Sequence, residues 1–179
     1  MLIANSRFLL TGVCILFSIL ATAQNADTIR TKPFDQYWTK PRFVPKVGVG
    51  VQDAAFAEVG VQYHQIFVHP LSLASAGPYL TFDGIVLDDD FILGPKLGYE
   101  FTAGLIGLAA DFTYYTDFDR ESVTFTPKVG LSLMGFVNLF YGRNFVLSED
   151  SFKSISKSRF SLVFNINRDY FDLREAKRR

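Results

Sequence analysis

The sequence predicts an all-β chain folded as an eight-stranded antiparallel up-and-down transmembrane β-barrel with a polar, side-chain-filled lumen. Three observations predict it. The first is a two-residue alternation from Lys96 to Asn144. In Lys96-Leu97-Gly98-Tyr99-Glu100-Phe101 one parity reads Lys, Gly, Glu and the other Leu, Tyr, Phe, and residues 124–133 repeat the pattern. A side-chain period of two belongs to strands. The second is the company the charges keep: they share their parity with glycines, opposite an apolar face, as in a barrel with an apolar outside. The third is the number of strand-length segments, eight, which is even and the smallest found in outer-membrane barrels.

Taken from the N-terminus, Arg7 closes a short positive region and residues 8–20 form an uncharged apolar stretch. Ala21-Thr22-Ala23 then offers a small-x-small cleavage site before polar residues. This is the pattern of a secretory signal peptide, residues 1–23, too short for a spanning helix. Cys14 is the single cysteine and lies inside that stretch. Cleavage near Ala23 therefore leaves a chain without disulfides, thiol catalysis or cysteine metal sites. Losing Arg7 leaves 17 basic against 18 acidic residues. With no basic stripe, nucleic acid is excluded as a partner.

Residues 24–42 read as a periplasmic leader with an aromatic cluster, Phe34, Tyr37 and the only tryptophan, Trp38. The barrel is expected over 43–171, with strands near 43–52, 56–66, 77–86, 91–102, 105–116, 123–134, 136–146 and 159–168, and a charged tail over 172–179. Ala103-Gly104 and Gly135 suit tight turns on the side of the termini. Asp88-Asp89-Asp90, 117–121 and 148–158 suit longer loops on the other side. Residues 67–76 read as a long, apolar turn that breaks this rule. The phrase Phe43-Val44-Pro45-Lys46-Val47-Gly48 recurs as Leu93-Gly94-Pro95-Lys96-Leu97-Gly98 and Phe125-Thr126-Pro127-Lys128-Val129-Gly130. Proline cannot donate to a ladder, so all three are expected at strand rims.

Parity assigns Lys46, Glu58, Lys96, Glu100, Asp111 and Lys128 to the lumen, joined by Asp83. Gly48, Gly98 and Gly130 share that parity, and long side chains crossing so narrow a barrel need small neighbours. Charges there must pair, so a connected network is expected, completed by Thr113, Ser132, Asn138, Ser161, Asn165 and Asn167. The outward parity is apolar. Arg143 falls on it and belongs at an interface, because an arginine at mid-membrane would cost about 2–4 kcal/mol.

The chain resembles, over about residues 43–170, the small eight-stranded outer-membrane barrels of Gram-negative bacteria. The signal peptide, the strand count and the alternation carry the resemblance. It implies an outer-membrane location and contact with outer-membrane lipid. It also implies a terminal aromatic read by the assembly machinery. The run Phe160-x-Leu162-x-Phe164-x-Ile166-x-Arg168-x-Tyr170 departs at Arg168, and residues 172–179 extend past the usual end.

Chemical motifs are few. His64 and His69 are the only histidines, and a lipid hydrolase would need His64 against a serine such as Ser72 or Ser75. Asp88-Asp89-Asp90 lacks the spacing of a calcium loop. The expected function is a non-enzymatic envelope barrel with a structural or accessory role, binding another envelope component, with no catalytic residue, cofactor or metal. The alternatives are a membrane-embedded lipid-modifying enzyme and a secreted soluble barrel with an apolar ligand inside. The last requires the reverse parity, with Lys96, Glu100 and Lys128 solvated.

Overall fold

A computed structural model describes residues 37–69, 72–86, 91–148, 152 and 155–171. The expected signal peptide (residues 1–23, with Cys14), most of the expected leader, Asp88–Asp90 and residues 172–179 lie outside the described residues. Among the described residues nine strand segments form one closed antiparallel sheet: β1 Arg42–Val51, β2 Ala55–His69, β3 Ser72–Val86, β4 Phe91–Ala103, β5 Ile106–Thr116, β6 Glu121–Leu133, β7 Val137–Arg143, β8 Phe145–Val146 and β9 Ser158–Asn165. Segments β7 and β8 both run along β6, on either side of Asn144, and together make one stave. The barrel thus has eight staves, and β9 closes it against β1, from Lys46–Asn165 to Val51–Phe160.

The ladders fix the geometry. Followed along the register from Arg42, the line of facing residues runs through His64, Gly77, Glu100, Ala109, Lys128, Gly142 and Arg159. It returns to β1 at Gln52, beside the Val51–Phe160 pair and ten residues from its start. A ten-residue stagger over eight staves tilts the strands by about 40° and sets a backbone radius of about 8 Å. An interior that narrow is filled by side chains.

The chain enters β1 and leaves β9 at the same end, together with the turns after β2, β4 and β6. This terminus end has tight turns: Gly104 (φ 59°) and Gly135 (φ 80°) take the left-handed backbone that glycine adopts freely. The opposite, loop end carries the connections after β1, β3, β5 and β8.

Several expectations are corrected. Residues 67–76 are not a long turn: β2 runs to His69 and β3 starts at Ser72, paired from Gln65–Ala76 to His69–Ser72. The apolar run is the end of a hairpin, flanked by Trp38, which bridges to Phe67. The last strand stops at Asn165 rather than Arg168, and Arg168–Tyr170 form a 3₁₀ turn capped by the Asn167 side chain. The prolines are not at the rims. Pro45, Pro95 and Pro127 lie within β1, β4 and β6, and Pro78 lies within β3.

The barrel closes despite them because each proline silences one ladder. The β4–β5 ladder skips from Leu93–Thr116 to Lys96–Thr113, across Pro95. The β2–β3 ladder skips from Gln62–Tyr79 to Gln65–Ala76, across Pro78. Pro127 falls in the gap of β6 that faces the Asn144 break, and Pro45 lies one residue past the last β1–β9 pair. A missing N–H removes one donor on one side only, so the other ladder of each strand runs on. At the Asn144 break side chains take over: Thr126 Oγ1 donates to Asn144 Oδ1 at 2.7 Å, and Asn144 Nδ2 donates to Ser156 O at 2.8 Å.

Candidate functional site

Burial follows parity along the staves, except at the end of the β2–β3 hairpin, where Ile66 and Phe67 and residues 74–77 are buried on both parities. Leu97 is 61% exposed and Leu131 66%, whereas Lys96 is 1% exposed and Glu58 3%. All six sequence-selected charges lie on the buried side, and Asp83 joins them.

They form three connected sets. Toward the loop end, Lys96 Nζ donates to Glu58 Oε2 at 2.7 Å and to Asp83 Oδ1 at 2.6 Å. Arg159 Nη1 donates to Asp83 Oδ2 at 2.6 Å and to Tyr115 Oη at 2.7 Å, with its guanidinium 3.7 Å from the Phe56 ring centre. A second set joins Lys128 to Asp111 at 2.5 Å, and Tyr79 Oη donates to the same carboxylate at 2.7 Å. Toward the terminus end, Lys46 Nζ donates to Glu100 Oε2 at 2.6 Å and to Asn165 Oδ1 at 3.0 Å. Glu100 Oε1 accepts from Asn138 at 3.0 Å and from Asn165 at 2.6 Å.

Sequence reasoning missed Arg159. It is the second residue of β9, opposite in parity to Phe160 and Leu162, so the rule that found the other charges applies to it as well. Its inclusion changes the chemistry. Lys46, Lys96, Lys128 and Arg159 balance Glu58, Asp83, Glu100 and Asp111, and the interior set is neutral. Tyr79 and Tyr115 were missed too; they carry the same parity as Asp83 and Asp111. Both need glycines beneath them. A Cβ on Gly98 would meet Tyr79 Oη at 2.5 Å, and one on Gly94 would meet the Tyr115 ring at 2.7 Å.

The two ends are closed differently. At the loop end Phe56, Ile85, Ile92 and Tyr115 pack with Phe152 and Ile155 of the β8–β9 connection. At the terminus end the chain turns in after β9. Asn167 Nδ2 lies 3.0 Å from His64 Nδ1, which makes that nitrogen the acceptor and leaves Nε2 to face Tyr170 Oη at 3.4 Å. Asp169 pairs with Arg42 at 3.4 Å, and Asp169 N–H donates to Asn167 Oδ1 at 2.9 Å. Burial pushes the Tyr170 hydroxyl well above its ordinary pKa, so it stays protonated.

His64 finds an amide and a phenol as partners rather than the serine that a hydrolase reading would need. His64 is buried against Asn167 and Tyr170, while Ser75 Oγ is bonded to Thr102 Oγ1 at 2.7 Å. His69 ends β2 with its ring 5.0 Å from that of Tyr37. No protein-family model matches the sequence, and neither a curated protein nor a solved structure matches it. What stands is the fold itself: a small closed eight-stranded antiparallel barrel. Among the described residues no group of three or more His, Cys, Asp and Glu is placed to hold a metal, and no helix is long and apolar enough to cross a membrane.

Proposed function

We propose that this chain is a non-enzymatic outer-membrane barrel with a polar, side-chain-filled lumen and a structural or accessory role in the cell envelope. One observation carries the reading: the sidedness of the wall. Val49, Val59, Leu80, Leu97, Phe112 and Leu139 stand exposed outside while four cations and four anions are buried inside. In water that arrangement leaves a large apolar surface without cover, whereas in a bilayer it is the stable one. Among the described strand residues, Glu121 and Arg143 are the only outward charges. Glu121 opens β6 at the loop end and accepts from Tyr114 Oη at 2.5 Å.

Dimensions support the same reading. The thirteen residues of β4 span about 30 Å of barrel axis at roughly 3.3 Å per residue and a tilt of about 40°. Exposed aromatics gather near both ends. The Phe43 and Tyr63 rings meet at a tilt, 4.9 Å apart, toward the terminus end, and Tyr114 and Phe91 stand toward the loop end. A filled lumen leaves no channel, so the role is exercised through the rims, in contact with another envelope component.

The test is heat-modifiability. Membrane-extracted protein run unboiled and boiled on a detergent gel is expected to shift in mobility. A soluble periplasmic protein with no shift sinks the reading and favours a soluble barrel.

A further inference from the structure

Among the described strand residues, Arg143 is the one cation on the apolar wall. It ends β7 on the outward face, and Phe145 and Leu147, both exposed, continue that face beyond it toward the loop end. Its guanidinium lies 5.7 Å from the Phe145 ring centre, beside the next outward residue toward the loop end. A second base stands next to it. Arg143 pairs with Ser158 in the β7–β9 ladder, and the Asn144 N–H donates to the Lys157 carbonyl at 2.9 Å. The two bases therefore occupy adjacent strands, one residue out of step, and both are exposed. Like charges set so close repel unless an anion joins them.

Among the described residues no carboxylate makes an ion pair with either base. Register brings Asp53 toward Ser158, two residues past the Val51–Phe160 pair, and it pairs with neither. The exposed hydroxyls of Tyr141 and Ser158, 3.2 Å apart, complete the patch. Below them, Leu139 and Phe160 are exposed and apolar, with the Phe160 ring tilted on that of Tyr141 at 5.0 Å.

We infer that Arg143 and Lys157, with the Ser158 and Tyr141 hydroxyls, hold the phosphate of a lipid headgroup in the leaflet at the loop end. The inference rests on the membrane reading above and goes further by naming a ligand and its site. The chemistry fits: a guanidinium fork grips phosphate by two parallel hydrogen bonds, an ammonium adds a point charge, and hydroxyls donate to the remaining oxygens. The placement decides the source. A charge on a lipid-facing wall needs a partner. A free anion would have to leave water to reach Arg143, whereas a lipid carries its phosphate to that depth with its acyl chains against Leu139 and Phe160.

The experiment mixes the full chain, extracted in a neutral detergent, with equal amounts of phosphatidic acid and phosphatidylcholine of the same acyl chains. Native mass spectrometry reads the lipid retained. Phosphatidic acid is expected to be preferred by at least about fivefold, and Arg143→Gln to lower that preference by about fivefold. Arg143→Gln with Lys157→Gln is expected to bring the two lipids to parity. Lys157→Gln alone, which alters no strand, carries the test if the Arg143 variant does not fold.

Equal retention of the two lipids by the unaltered chain overturns the inference. So does a preference that survives both substitutions, or equal retention of oleate, an anionic lipid without phosphate. Displacement of phosphatidic acid by inorganic phosphate beyond that by chloride at matched ionic strength indicates a free-anion site and overturns it as well. The heat shift on the same sample separates the cases: a shift without lipid preference removes this site alone, and its absence removes the membrane reading with it.

Discussion

The two mouths of this barrel are closed by opposite chemistry. At the loop end, Phe152 and Ile155 come back from the β8–β9 connection and complete an apolar cluster with Phe56, Ile85, Ile92 and Tyr115. At the terminus end, the chain leaving β9 folds under the barrel and is held by hydrogen bonds of His64, Asn167, Asp169 and Tyr170. An apolar plug is non-directional and depends on buried area, whereas a hydrogen-bonded plug depends on geometry and leaves costly orphans when one member goes. Between them lies a network that tolerates neither substitution easily. The difference teaches that the same parity rule fills one lumen with three kinds of packing, graded along its axis.

The largest effect is expected from the middle, which serves as the reference for both ends. Lys96→Met leaves Glu58 and Asp83 buried without the ammonium that they share, at a cost of about 4 kcal/mol. Denaturant unfolding in detergent measures it, and a loss under 1 kcal/mol refutes the network. Phe152→Ala empties the apolar plug and is expected to cost about 3 kcal/mol, with the terminus end undisturbed. Equal loosening of both mouths, read by amide exchange, breaks the comparison.

Asn167→Ala removes both the cap of the 3₁₀ turn and the partner of His64 Nδ1, for about 2 kcal/mol, and frees the terminus-end turn alone. The mildest effect belongs to the loop end. The Arg120 backbone N–H at 2.7 Å, together with the Arg120 guanidinium and the Asp119 N–H, holds the Asp117 carboxyl below the usual carboxylate range. A depressed folded pKa gives order that is full above the ordinary value and is lost as pH falls through the lowered one. Exchange at Asp119 and Arg120 is therefore expected to rise in acid before the barrel opens; unchanged protection there contradicts it.

Much of this was legible in the alternation, because a buried charge on a strand declares its face through its neighbours. Lys46, Glu58, Lys96, Glu100, Asp111 and Lys128 were readable that way. Arg159 declares its face only through the residues that follow it, Phe160 and Leu162, because it stands at the start of its strand with no alternation before it. Residues 67–76 misled for a related reason. Tyr37 and Trp38 pack on Phe67 at the end of that hairpin, where Ile66 and Phe67 are both buried, so both faces are covered and the period of two disappears. The apolar plug was unreadable because Phe152 meets Phe56 across a long stretch of sequence, and periodicity carries only local information.

The four prolines bear on how the chain finds its own alignment. A slip of one residue between neighbouring strands turns charges toward the outside and is rejected by parity alone. A slip of two keeps every face correct, and alternation is blind to it. Prolines are not. Pro127 is tolerated where β7 and β8 part at Asn144, and Pro45 where β9 has just ended. Displaced by two, each would confront continuous strand with no donor to offer, while the interruption prepared for it stood opposite an ordinary residue. They act as alignment pins, set by subtraction of a hydrogen rather than by addition of a contact.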